Sequence, residues 1–100
     1  MDQREAIKKV QAFKALLEDN LQFDKIYLFG SYANNTQRED SDVDVAIVVN
    51  QVEEDFFSVN PLLWTLRRKI DDRIEPILIE KDNDHSGFLT EIETRGIEII

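Results

Sequence analysis

Two aspartates, Asp42 and Asp44, stand two residues apart at the head of the apolar, β-branched run Val43–Val49. In an extended strand, residues i and i+2 project to one face, so both carboxylates point the same way. Crowded carboxylates repel each other and raise each other's pKa. A divalent cation between them relieves that repulsion, and oxygen ligands of this type select Mg2+ or Mn2+ over softer metals. Upstream, Gly30-Ser31 directly follows a second apolar run, Ile26-Tyr27-Leu28-Phe29. Glycine lets the backbone come close to a ligand, because no Cβ intervenes. Serine offers a hydroxyl and an N–H, both suited to phosphate oxygens, and a helix starting there adds a favourable dipole.

One strand end thus offers a phosphate cradle and the next offers metal ligands. A hairpin between the strands would bring the two together. The chemistry that uses both is nucleotidyl transfer. Metal ions neutralise a triphosphate and stabilise the charge that develops at its α-phosphate. The cradle holds the β- and γ-phosphates that leave as pyrophosphate. Two metals usually need a third carboxylate, for which Glu75 is the candidate, set in Ile74-Glu75-Pro76-Ile77-Leu78. A carboxylate in an apolar run needs a partner such as a metal. It can also act as general base toward an attacking hydroxyl. The competing reading is a solvated acid at a sheet edge, which Pro76 favours because it lacks an N–H. An Asp-x-Asp pair by itself is commonly a turn former or a pair of solvated acids. The signal here is the order: strand, Gly-Ser, ten residues, Asp-x-Asp, strand.

The elements that must position these residues follow from periodicity. Ile7, Val10, Phe13, Leu17 and Leu21 recur at helical spacing, so residues 2–19 are predicted helical. Asp2 caps that helix, with Glu5 three residues on as in a capping box. Residues 25–29 and 43–49 are predicted strands, the first buried on both faces. Asn60-Pro61 reads as a cap followed by proline in the first helical position. Leu63, Leu66 and Ile70 continue that helix, and Arg67, Arg68 and Lys69 lie in its last turns. Residues 74–79 form a third strand. Phe88, Leu89 and Ile92 mark a short last helix that Gly96 caps. Residues 97–100 add a possible last strand. The expected fold is a two-layer α/β (α+β) domain, a small mixed sheet of three to four strands with helices packed on it. It spans residues 1–100 as a single domain.

Composition narrows the function. The chain has 100 residues and a net charge of −9. Such a surface repels nucleic-acid phosphates, so direct nucleic-acid binding is not expected. It attracts a basic protein partner instead, although acidity also serves simple solubility. There is no cysteine, hence no disulfide framework and no thiolate metal site. The sequence has no membrane-length apolar run, and its start, Met1-Asp2-Gln3-Arg4-Glu5, lacks the apolar core of a signal peptide. The cytoplasm is the expected location.

The stretch from Leu28 to Val49 resembles the signature of the DNA polymerase beta-like nucleotidyltransferase superfamily: Gly-Ser, a spacer, then Asp-x-Asp. It is most similar to the minimal nucleotidyltransferases, which pair with HEPN-domain partners in toxin–antitoxin operons. The resemblance implies a polymerase beta palm-like fold. It implies that Gly30 and Ser31 bind the phosphates of ATP, and that Asp42 and Asp44 bind Mg2+, with two ions expected. It places the family's third carboxylate on a later strand, where Glu75 is the best match. It also implies an antitoxin that moves AMP onto a hydroxyl, a tyrosine of the HEPN ribonuclease toxin, in a hetero-oligomer with that partner. The sequence departs from the family at Asn34-Asn35, where Arg-Gly is common. Asn35 can adopt the left-handed backbone that glycine would supply. Asn34 removes a phosphate contact that Arg38 is the nearby candidate to replace.

Two other functions remain open. One is a non-catalytic antitoxin that masks a basic toxin by stoichiometric binding. The other is transfer to a small molecule, for which no acceptor pocket is legible. His85 and Glu39-Asp40 read as solvated loop residues. Trp64 and Phe56-Phe57 read as either core or part of a partner surface; Trp64 lies off the Leu63–Leu66–Ile70 stripe, which favours the partner reading.

Overall fold

The computed structural model describes residues 1–50, 56–83 and 86–100. Chain order is α1 (Gln3–Glu18), β1 (Lys25–Phe29), α2 (Ser31–Asn34), β2 (Val43–Val49), α3 (Phe56–Arg67), β3 (Ile74–Glu80), α4 (Phe88–Arg95) and β4 (Ile97–Glu98). The strands form one mixed sheet in the order β3-β2-β1-β4. β1 pairs antiparallel with β2 and β4, and β2 pairs parallel with β3. This is the expected α+β sheet, at its upper count of four strands.

Alternation along the strands sorts the side chains onto two faces. On one face Ile26, Leu28, Val45, Ile47 and Ile74 pack against Ala6, Val10, Phe13 and Leu17 of α1 and Leu63 and Leu66 of α3. On the other face Tyr27, Ala46 and Val48 meet Leu89 and Ile92 of α4. Because α4 is only eight residues long, it covers only part of this second face. Asp44 shares the face of Ala46 and Val48, so the acids lie on the side of the sheet that the larger helices leave open.

The ends of α1 follow the sequence closely. The Asp2 carboxylate accepts the Glu5 N–H at 2.8 Å, satisfying one of the orphan donors of the first turn. Lys9 forms a close ion pair with Asp71 in the turn before β3, and Lys14 Nζ donates to Ile99 O at 3.1 Å. Partial burial tends to raise the Asp71 carboxyl, but its bonds to Lys9 and the Arg73 N–H hold it below the usual carboxylate value.

Three local expectations need correction. α3 starts before Asn60-Pro61, so Asn60 is not its cap and Pro61 lies inside the helix. The reason is the buried stripe Val59, Leu63 and Leu66, whose spacing carries the helix back past the proline. The same helix ends at Arg67, so Arg68, Lys69 and Ile70 fall in the following turn. Gly96 caps α4 as expected, its N–H donating to Ile92 O at 2.6 Å from an extended conformation. Its need for glycine is steric: a Cβ there would lie 2.5 Å from Ile92 O and 3.0 Å from Leu28 O. β4 ends at Glu98 and not at Ile100. His85 and the side chains of Phe56 and Phe57 lie outside the described residues. Glu39-Asp40 forms an exposed turn, as expected. Trp64 is exposed, with the Arg67 guanidinium 4.6 Å from its ring centre. No helix among the described residues is long and apolar enough to cross a membrane.

Candidate active site

The hairpin of β1 and β2 brings the two halves of the motif together. Phe29, the last residue of β1, stands opposite Asp44. Gly30 follows with φ 75° and ψ −151°, a conformation that essentially only glycine adopts. It is required a second time by packing, since a Cβ on Gly30 would lie 2.2 Å from Asp44 Oδ2. The Asp44 carboxylate therefore rests directly over the Gly30 backbone. Ser31 opens the single-turn α2, which closes on Asn35 with φ 58°. Asn35 thus supplies the left-handed residue that glycine would otherwise provide. The Gln3 amide nitrogen donates to Tyr32 O at 2.8 Å and Ala33 O at 3.2 Å. Carbonyls at a helix C-terminus lack partners within the helix, so α1 fixes this turn in place.

Parallel pairing of β2 with β3 sets Asp44 beside Glu75. Asp42, just before β2, is exposed, whereas Asp44 and Glu75 are half-buried. Burial raises the Asp44 carboxyl above its ordinary value, and the Asp42 charge adds to this. Glu75 is also raised, first by burial, then by hydrogen bonding with Asp42 and its charge, and then by the charge of Asp44. The Arg67 guanidinium works the other way. Pro76 does lie in an edge strand, yet Glu75 belongs electrostatically to the aspartates and is not an isolated edge acid.

The donor chemistry fits Mg2+. All three groups are hard oxygen donors, and their mutual repulsion is what a divalent cation relieves. Among the described residues no three acids are gathered tightly enough to cage an ion by themselves. An open arrangement is the usual one for Mg2+, which is commonly held by one or two carboxylates together with substrate phosphates and water.

Glu75→Gln tests the third acid. The substitution removes a charge that its neighbours disfavour, so the melting temperature at neutral pH should hold or rise. A group with a raised folded pKa weakens folding above that pKa, and the neutral amide removes the penalty. Transfer should fall by about a hundredfold or more, the usual scale for a lost general base. Transfer at the unchanged rate would leave Glu75 a spectator.

A cavity of about 180 Å3 adjoins the cradle, lined by Phe29, Gly30, Asn34, Phe88, Glu91 and Arg95 among others. Phe29 and Phe88 meet edge to face with centroids 5.7 Å apart. Arg95 was not legible as a neighbour of the motif, because α4 is remote from it in the chain. The one local hint was Gly96, whose close approach to Leu28 O seats the end of α4 on β1. Arg38 is exposed, its N–H bonded to Ser41 Oγ at 2.8 Å, and it does not line the cavity.

Comparison with known proteins agrees with this geometry. Residues 11–100 match the family described as polymerase beta, nucleotidyltransferase. A Methanocaldococcus jannaschii protein, provisionally named a protein adenylyltransferase, is 34% identical over 101 residues, spanning 95% of this chain and 99% of its own. A toxin–antitoxin crystal structure with AMP-PNP contains a chain 27% identical, with a TM-score of 0.69, over 92% of this chain and 72% of that one. The complex of a tri-AMPylated Shewanella oneidensis HEPN toxin with its MNT antitoxin contains a chain sharing the fold. That chain is 22% identical with a TM-score of 0.63, and the match covers 98% of this chain and 71% of that one. The chain belongs to the polymerase beta nucleotidyltransferase family and is a nucleotidyltransferase.

Proposed function

We propose that this protein transfers AMP from ATP to a hydroxyl, a tyrosine, on a HEPN-domain toxin, and so acts as its antitoxin. The observation that carries the reading is the Asp44 carboxylate packed over Gly30, with Glu75 in register beside it. Cradle, metal ligands and a candidate base then share one open face of the sheet. The relatives support the acceptor class, since one is named for protein adenylylation and others come from structures of toxin–antitoxin complexes.

In this reading Gly30 and Ser31 receive the β- and γ-phosphates. Asp42 and Asp44, with Glu75 as third carboxylate, would hold the Mg2+ ions, which would neutralise the triphosphate and stabilise the charge that develops at the α-phosphate. The acceptor oxygen forms a bond to the α-phosphorus as the bond to the β-phosphate oxygen breaks, and pyrophosphate leaves. Glu75 is also the candidate to take the acceptor proton. The acceptor arrives on another chain, and the enzyme works in the cytoplasm as a single catalytic domain.

A stoichiometric mask is the second reading, favoured by the net charge of −9 and by exposed Trp64. Intact-mass spectrometry of a HEPN partner, mixed with substoichiometric protein, ATP and Mg2+, separates the two. The expected result is one or more AMP units on the partner, absent when chelator is added. A partner of unchanged mass, inhibited only at equal amounts and without ATP, would establish masking.

A further inference from the structure

The lining of the cavity beside Gly30 includes one cationic residue, Arg95, that the motif does not account for. The geometry points to Arg95 as the residue that grips the leaving phosphates of the nucleotide, an assignment that rests on the transferase reading above. The argument begins with the order of strands, β3-β2-β1-β4. Crossing the sheet at the motif end, Glu75 lies on β3, Asp44 on β2, Gly30 at the end of β1, and Gly96 immediately before β4. The acids thus stand on one side of Gly30 and the cavity on the other. A triphosphate laid on the Gly30 cradle, with its α-phosphate toward the acids, runs its β- and γ-phosphates toward the cavity.

Arg95 is placed there by the close contact of Gly96 with Leu28 O, two residues before Gly30. Its guanidinium is the cation among the cavity-lining side chains, and Asn34 shares that lining. The present partner of Arg95 is weak. Glu91 Oε1 lies 4.0 Å away, in a pair whose side chains are 74% and 61% exposed. An ion pair that exposed contributes little, so the guanidinium is free to exchange Glu91 for phosphate oxygens. The planar fork of arginine suits bidentate phosphate contact. In a chain of net charge −9, one cation at this point also offsets the repulsion that a polyphosphate would otherwise meet.

The test compares ATP, AMP and inorganic pyrophosphate, each with Mg2+, by equilibrium dialysis and thermal shift. Arg95→Ala should weaken ATP and pyrophosphate binding about tenfold, the lower end expected for a charge-assisted bond at an exposed site. AMP, which lacks the leaving phosphates, should bind the variant as it binds the original. Arg95→Lys should retain part of the affinity, and Glu91→Gln should tighten ATP, because the competing carboxylate is gone. The exposure of Arg95 means that truncation should leave the melting temperature of the free protein unchanged. ATP binding equal in Arg95→Ala and the original protein would overturn the assignment. So would equal losses for ATP and AMP, which would place Arg95 at the nucleoside end. If the original protein binds no ATP, the transferase reading falls as well; if it does and Arg95→Ala is indifferent, only the role of Arg95 falls.

Discussion

Gly30→Ala should remove transfer activity and lower stability together. Two independent effects converge on this position. A backbone with φ 75° and ψ −151° is sparsely populated by any residue with a Cβ, and holding one there costs about 1–3 kcal/mol. The new Cβ would also lie 2.2 Å from Asp44 Oδ2, so the carboxylate, the backbone or both must move. Displacement of about 1 Å at a catalytic group can cost about a hundredfold in rate. The melting temperature should drop by roughly 5–15 °C for a domain of this size. Activity must be compared at a temperature where both proteins are folded. Near-normal transfer by folded Gly30→Ala would mean that Asp44 need not sit where the structure puts it.

The Asp42→Ala, Asp44→Ala double variant should behave in the opposite way toward stability. Burial and the Asp42 charge raise the Asp44 carboxyl. A carboxyl with a raised folded pKa opposes folding at pH values above that pKa. Removing both charges should therefore leave the melting temperature at neutral pH equal or higher. Transfer should fall by about a thousandfold or more, since the metal contribution is worth several kcal/mol and each 1.4 kcal/mol is tenfold. The variant keeps 19 of the 21 acidic residues (21 less the two replaced), so electrostatic attraction to a basic partner largely survives. Neutralisation of the toxin in cells at matched expression is the decisive readout. Full protection by the folded double variant would make this a mask and the motif a relic.

Much of this protein was legible in its sequence, because the relevant signals are local. Alternation and β-branching marked the strands at residues 25–29 and 43–49. The Asp2–Glu5 cap needed only three residues of context. Asn35 was readable as a left-handed residue because its short polar side chain tolerates that backbone. Gly30, Ser31, Asp42 and Asp44 were singled out by types and spacing, and antiparallel pairing of the two strands that flank them brings Gly30 and Asp44 together. The start of α3 was misread because a local rule for Asn-Pro yielded to the buried stripe of Val59, Leu63 and Leu66.

What only the tertiary structure decided are pairings between distant segments. The sequence alone did not say which residue Glu75 would face; parallel pairing of β2 with β3 sets it beside Asp44. Register in such a sheet depends on which residues the core must bury, and no short stretch of sequence states it. The position of Arg95 depends on how closely the end of α4 can approach β1, which a missing Cβ at Gly96 permits. Periodicity tells which face of an element is apolar, but steric fit between elements far apart in the chain determines which polar groups meet beyond that face.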